Sequence, residues 1–163
     1  MFEDITDIYE ETAIEHVSIP KIVYRKKGES EPLKSYQHLT DVLNMTNMEF
    51  FTLTALIGKF IVGERKKLED SREQFFKYIE KKSKSNDNIV ILKALAVDEV
   101  NNIYILKDYE KMRIIWQEYS YAGFEELYCW YEDNSIDFET KLSEVLLETF
   151  NNNKKLINDE DLE

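Results

Sequence analysis

Glycine, proline, cysteine and histidine are all scarce in this chain, and each scarcity narrows what the chain can be. Four glycines and two prolines, both prolines before residue 33, leave few turn signals after the N-terminal fifth, so long helices are expected there. The single cysteine, Cys129, excludes an internal disulfide framework and fits a reducing compartment, where it reads as a small apolar residue packed on a helix. Together with His16 and His38 it gives too few nitrogen and sulfur ligands, too widely scattered, for a zinc site. The two histidines also stand outside any constellation with a nucleophile, which argues against general-base catalysis. Neither a GxxxxGK(S/T) phosphate loop nor a GxGxxG run occurs, so a nucleotide has no conventional cradle. The longest uncharged stretch, Phe50 to Gly58, is nine residues, well short of the roughly 20 apolar residues of a membrane-spanning helix. Glu3, Asp4, Asp7, Glu10, Glu11 and Glu15 stand where a secretory signal needs positive charge and then an apolar run, so a cytoplasmic chain without membrane contact is expected.

What is present is an ample core and an uneven charge. In 163 residues, 43% hydrophobic and 13% aromatic content supplies one substantial core but not two. The net charge is −12. Residues 1–20 carry six acids and no base; residues 21–84 carry fourteen bases and nine acids; residues 85–163 carry seven bases and eighteen acids. A basic middle therefore lies between two acidic ends. The expected organisation is an acidic N-terminal helix or arm over 1–20, one helical domain over 21–150 and an acidic tail over 151–163.

The apolar spacing predicts a mainly α protein, a compact bundle of about five to seven helices, with a minor extended segment near residues 21–26. Phe2, Ile5, Ile8, Tyr9, Ala13, Ile14 and Val17 read as an acidic amphipathic helix. Ser18 to Pro32 reads as a loop or short extended piece rather than a sheet. A short helix is expected over 34–43, and Thr46 followed by Glu49 is a capping-box signal for a central helix that ends near Gly63. Phe75, Phe76, Tyr78 and Ile79 suggest a helix over 71–82, and the apolar run 89–97 suggests a buried one. Residues 103–106 read as a brief extended piece or helical turn. Asp108 is placed to cap a long helix through Met112, Trp116 and Trp130, with a bend or break at Gly123. A last helix is expected over 138–150, then a frayed tail.

No residue pattern here assigns catalytic, cofactor-binding or metal-ligating residues. Glu64-Arg65-Lys66, Glu80-Lys81-Lys82 and Glu139-Thr140-Lys141, the last with Asp133 upstream, match the acid and Glu-x-Lys spacing of Mg²⁺ nucleases. In a chain that is 33% charged such triplets arise by chance, and these fall in predicted helices and loops rather than at strand ends. Two other features point to binding. Arg65, Lys66, Lys67 and Arg72 cluster after the central helix and form a patch able to meet phosphate or an acidic protein. Tyr121, Tyr128 and Tyr131 point away from the Trp116–Tyr119–Leu127–Trp130 stripe, which predicts tyrosines available to a partner.

The segment from Phe50 to Leu127, about half of the chain, resembles small uncharacterised proteins associated with Dnd systems, the bacterial DNA phosphorothioation and restriction loci. The shared features are Ala55-Leu56-Ile57-Gly58, Gly63-Glu64-Arg65 with Leu68, the run Leu92 to Val97, Ile105-Leu106, and the stretch Glu118 to Leu127, in which Ser120 and Tyr121 depart from the family's pattern around Ala122 and Gly123. The resemblance implies a supporting role in a defence locus and supplies no catalytic residues. The expectation is a non-enzymatic adaptor that binds a protein subunit of a defence or DNA-processing complex, with DNA contact through the basic middle and a homodimer both compatible. The alternative is an acidic DNA mimic that inhibits a nucleic-acid-binding protein.

Overall fold

The computed structural model describes residues 16–20, 35–68, 72–77, 87–133 and 137–160. The described chain is mainly helical, with β1 (His16–Pro20), α1 (Tyr36–Val42), α2 (Asn47–Ile57), a π-helical turn (Gly58–Val62), β2 (Arg72–Lys77), α3 (Asp87–Val100), a 3-10 helix (Ile103–Lys107), α4 (Tyr109–Glu132) and α5 (Phe138–Glu160). None of the described helices is long and apolar enough to cross a membrane.

Local chemistry sets most helix starts. The Ser35 hydroxyl accepts the His38 amide at 3.3 Å and opens α1. At α2 the Thr46 hydroxyl accepts the Glu49 amide at 3.3 Å while the Glu49 carboxylate accepts the Thr46 amide at 2.8 Å, so each residue satisfies a donor the helix leaves unpaired. Asp108 accepts the Lys111 amide at 3.1 Å to start α4, and Asp137 accepts the Thr140 amide at 3.1 Å to start α5. Gly63, at φ 75°, closes the π-helical turn by donating its amide to the Gly58 carbonyl at 2.9 Å.

The centre of the fold is the crossing of α2 and its π-helical turn over α4, and it is made by two glycines. A Cβ on Gly58 would lie 2.0 Å from the Tyr119 carbonyl oxygen, and one on Gly123 would lie 1.8 Å from that of Thr54. Backbone thus meets backbone with no side chain between. α4 is not broken at Gly123: it runs continuously over 24 residues. Glycine is there for closeness, at a helix-propensity cost of about 1 kcal/mol against alanine.

Around this crossing the core gathers Tyr36, Leu39, Phe50, Phe51, Ile57, Leu92, Met112, Ile115, Trp116, Phe124 and Leu127, all essentially without solvent contact. Tyr36 stacks on Phe124 with centroids 4.1 Å apart and meets Phe50 and Phe75 edge-on. Its hydroxyl bonds Ser120 Oγ at 3.0 Å, which bonds Thr54 Oγ1 at 2.7 Å, and Thr54 donates back to the Phe50 and Phe51 carbonyls. Burial holds the Tyr36 phenol far above its ordinary pKa, so it stays neutral.

Three expectations change. β1 and β2 pair antiparallel, from His16 opposite Lys77 to Pro20 opposite Arg72, with a bulge beside Val17 and Ser18. The expected helix over 71–82 is therefore a strand over 72–77, and its partner strand lies at 16–20; the extended segment expected near 21–26 falls outside the described residues. Val17 and Ile19 are buried, so the end of the expected acidic arm belongs to the core, while residues 1–15 are outside the description. Lastly, α5 continues through the expected tail to Glu160, as nothing in 151–160 is a glycine or proline.

Candidate functional site

Three basic residues after α2, Lys59, Arg65 and Lys66, pair with carboxylates of α3 and α4. Lys59 in the π-helical turn donates to Glu99 Oε2 at 2.8 Å and lies 3.1 Å from Asp98 Oδ2, both on α3. Tyr119 donates its hydroxyl to the same Glu99 oxygen at 2.6 Å. Arg65 Nε sits 3.5 Å from Glu99 Oε1 and 3.6 Å from Glu118 Oε2. Lys66 pairs with Glu125, its ammonium stands 4.7 Å from the centre of the Tyr121 ring, and its amide donates to the Glu118 carbonyl at 3.1 Å.

These contacts shift the titrations together. Burial alone would push Glu99 up and Lys59 down, but the hydrogen bonds among Lys59, Glu99, Asp98 and Tyr119 outweigh it, leaving Glu99 below the usual carboxylate range and Lys59 above the usual ammonium range. Lys66 is also raised, because Glu125 outweighs its partial burial. Of the expected patch, Arg65, Lys66 and Lys67 are all exposed, the first two paired with carboxylates of the same chain, and Arg72 lies in β2 opposite Pro20. Their partners Glu99, Glu118 and Glu125 lie on α3 and α4, too far along the chain for local spacing to pair them.

The tyrosines also differ from expectation. Tyr121 and Tyr128 are each only 5% exposed, and Tyr131 is half-buried, its hydroxyl 2.9 Å from His38 Nε2 and its ring edge-on to Phe138. The stripe argument fails because α4 is packed on several sides, by α2, β1, α3 and α5, so more than one of its faces is core. Cys129, by contrast, is exposed, not packed, beside a depression of about 360 Å³ formed by Val62, Ala122, Arg65, Lys66 and neighbouring glutamates. Among the described residues no group of three or more His, Cys, Asp and Glu is arranged to hold a metal ion.

The surface that stands out includes part of the run 89–97, expected to be a buried helix. Ile89, Leu92, Leu95 and Ala96 of α3 face inward, and the Trp116 indole donates to the Leu92 carbonyl at 2.5 Å, but the opposite side of α3 is apolar too. Val90, Ala94 and Val97, at i, i+4 and i+7, line a groove of about 460 Å³ together with Lys93 of the same helix and Ile103 and Leu106 of the 3-10 helix. Val90 is 64% exposed, Ile103 46% and the adjoining Tyr104 62%. Asp98 and Asn101 close the end where α3 terminates. The signal was present in the run Ile89-Val90-Ile91-Leu92, whose four consecutive apolar residues exceed what one helix face can bury. No family model, curated protein or solved structure matches the chain, so none carries the Dnd resemblance and the functional reading rests on this geometry.

Proposed function

We propose that the protein is a non-enzymatic adaptor that docks a protein partner in the groove between α3 and the 3-10 helix, as an accessory subunit of a bacterial anti-phage or DNA-modification system. The observation that carries the docking reading is the pair of exposed apolar side chains Val90 and Ile103 on one concave surface, with Ala94, Val97 and Leu106 beside them. Contiguous apolar surface of this kind on a charged protein marks a site that another molecule covers. The setting in a defence or DNA-modification locus comes from the resemblance of the segment 50–127 alone.

Direct DNA binding through the basic middle is less favoured, because Arg65 and Lys66 already have carboxylate partners. The DNA-mimic alternative loses ground for the same reason: Glu99, Glu118 and Glu125 are neutralised in place rather than displayed as a phosphate-like array.

The test is retrieval of the tagged protein from its host under native conditions, beside a Val90→Gln, Ala94→Gln variant and a Lys67→Ala variant. The reading expects a stoichiometric protein partner retained by the parent and by Lys67→Ala and lost by the groove variant. Retention by the groove variant, or Mg²⁺-dependent DNA cleavage or nucleotide hydrolysis by the purified chain alone, would overturn it.

A further inference from the structure

We infer that Lys59, which does not itself line the groove, is the latch that holds the groove's corner in place. The corner exists because α3 ends at Val100, the chain turns through Asn101 at φ 52° and Asn102, and the 3-10 helix starts at Ile103. Asp98, Asn101, Ile103 and Leu106 line this end of the groove.

Little within the corner holds it. Asn101 has a left-handed backbone, which few residues other than glycine adopt readily. The 3-10 helix relies on short-range bonds: the Tyr104 amide donates to Asn102 Oδ1 at 2.9 Å, the Ile105 amide to the Asn102 carbonyl at 3.2 Å and the Asp108 amide to the Ile105 carbonyl at 2.9 Å. Such bonds are less well aligned than those of an α-helix. Ile105 and Leu106 reach the core, but Ile103 and Tyr104 are exposed, so the apolar anchor grips one side only.

The tie from outside is Lys59. Its ammonium bonds two neighbouring carboxylates in the last turn of α3, Glu99 at 2.8 Å and Asp98 at 3.1 Å, and stands 5.3 Å from the centre of the Tyr119 ring. The π-helical turn that carries it is itself seated on α4, where Gly58 meets the Tyr119 backbone. The π-helical turn, the end of α3 and α4 thus converge on one ammonium. Asp98 is bonded to it and also lines the groove, so Lys59 is a positioning residue that acts on the groove through its carboxylates. Charge-assisted bonds of this kind exceed neutral ones in strength. At a corner with few other contacts they control its local opening rather than unfolding of the whole domain. That a partner feels this corner rests on the docking reading; the latch itself does not.

The experiment measures amide hydrogen exchange by NMR on the full chain in the parent, Lys59→Met, Lys59→Arg and Lys66→Met. Lys59→Met should speed exchange of the Ile105 and Asp108 amides about tenfold, while the amides of Phe124 and Leu127 in the core change less than about threefold. Lys59→Arg, which keeps the charge, should restore the corner to within about threefold of the parent. Lys66→Met removes a cation paired elsewhere, with Glu125, and should leave the corner as it was. An unchanged corner in Lys59→Met, or a rise matched in the core, would overturn the latch. Should Lys59→Met not fold, Asp98→Asn loosens one of the two bonds and should speed the corner alone by about threefold; no change there would also overturn it. Loss of a partner by the Val90→Gln, Ala94→Gln variant, with a corner indifferent to Lys59→Met, would sink the latch and leave the docking reading standing.

Discussion

Gly123 of α4 lies against Thr54 of α2 so closely that a methyl group added to the glycine would sit 1.8 Å from the threonine carbonyl oxygen. Gly123→Ala should therefore destabilise the protein by about 3 kcal/mol, the upper end of overpacking penalties, despite alanine's better helix propensity. Gly63 is the control. It has open space around it but φ 75°, so Gly63→Ala should cost only about 1–2 kcal/mol, from backbone strain alone. Equal shifts in denaturation midpoint for the two variants would contradict the close crossing.

Ser120 stands between Tyr36 and Thr54 in a hydroxyl chain that water does not reach. Ser120→Ala strands the Tyr36 hydroxyl and should cost about 1–3 kcal/mol. Tyr36→Phe removes that hydroxyl, so in the double variant the two losses should add to less than their sum. Urea unfolding of the four proteins measures the coupling, and strict additivity would show that the chain is not a unit.

The Lys59–Glu99 clasp predicts a pH window. Glu99 is depressed in the folded protein, so its stabilisation is complete above the unfolded carboxylate pKa and is lost as pH falls through the lower folded value. Lys59 is raised, so its share is complete below the unfolded ammonium pKa and is lost as pH rises through the higher folded value. Glu99→Gln should lower stability by about 2 kcal/mol at neutral pH, with the deficit shrinking toward zero as acid protonates Glu99 in the parent. A deficit independent of pH below neutrality would mean that the Glu99 charge is not involved.

Arg65 and Lys67 are separated by one residue yet should behave differently. Arg65 reaches Glu99 and Glu118, so Arg65→Ala should lower the melting temperature, whereas Lys67→Ala on the exposed loop should stay within about 0.5 kcal/mol of the parent. Combining Arg65→Ala, Lys66→Ala and Lys67→Ala should leave duplex DNA binding unchanged within error, because two of the three cations face carboxylates of their own chain. A gel-shift assay in low salt checks this.

The parts of the fold that could be read from the sequence are those whose cause is local. Thr46 with Glu49, Asp108 ahead of α4 and Gly63 at the end of the π-helical turn each act within a few residues, and each was placed correctly. What could not be read depends on partners far along the chain. Residues 72–77 have no strong strand signal of their own and become a strand because His16–Pro20 is there to pair with them. Gly123 resembles a helix breaker until Thr54 is brought beside it. Arg65 and Lys66 resemble a free basic patch until α3 and α4 supply their glutamates. The candidate groove was hidden by the opposite error, since Val90 and Ile103 are the residue types expected inside.

The indole of Trp116 reaches across from the fully enclosed middle of α4 to hold the Leu92 carbonyl, on the inward side of the helix whose outward side forms the groove. With Gly123 of α4 in turn set against Thr54 of α2, the α3 wall of the groove is tied to the closely packed centre of the fold. A docking site built this way, if the proposed partner binds there, would already be in shape on arrival, so the disorder surrendered on association would come from the visitor, and changes made to that visitor should register chiefly in how long it stays.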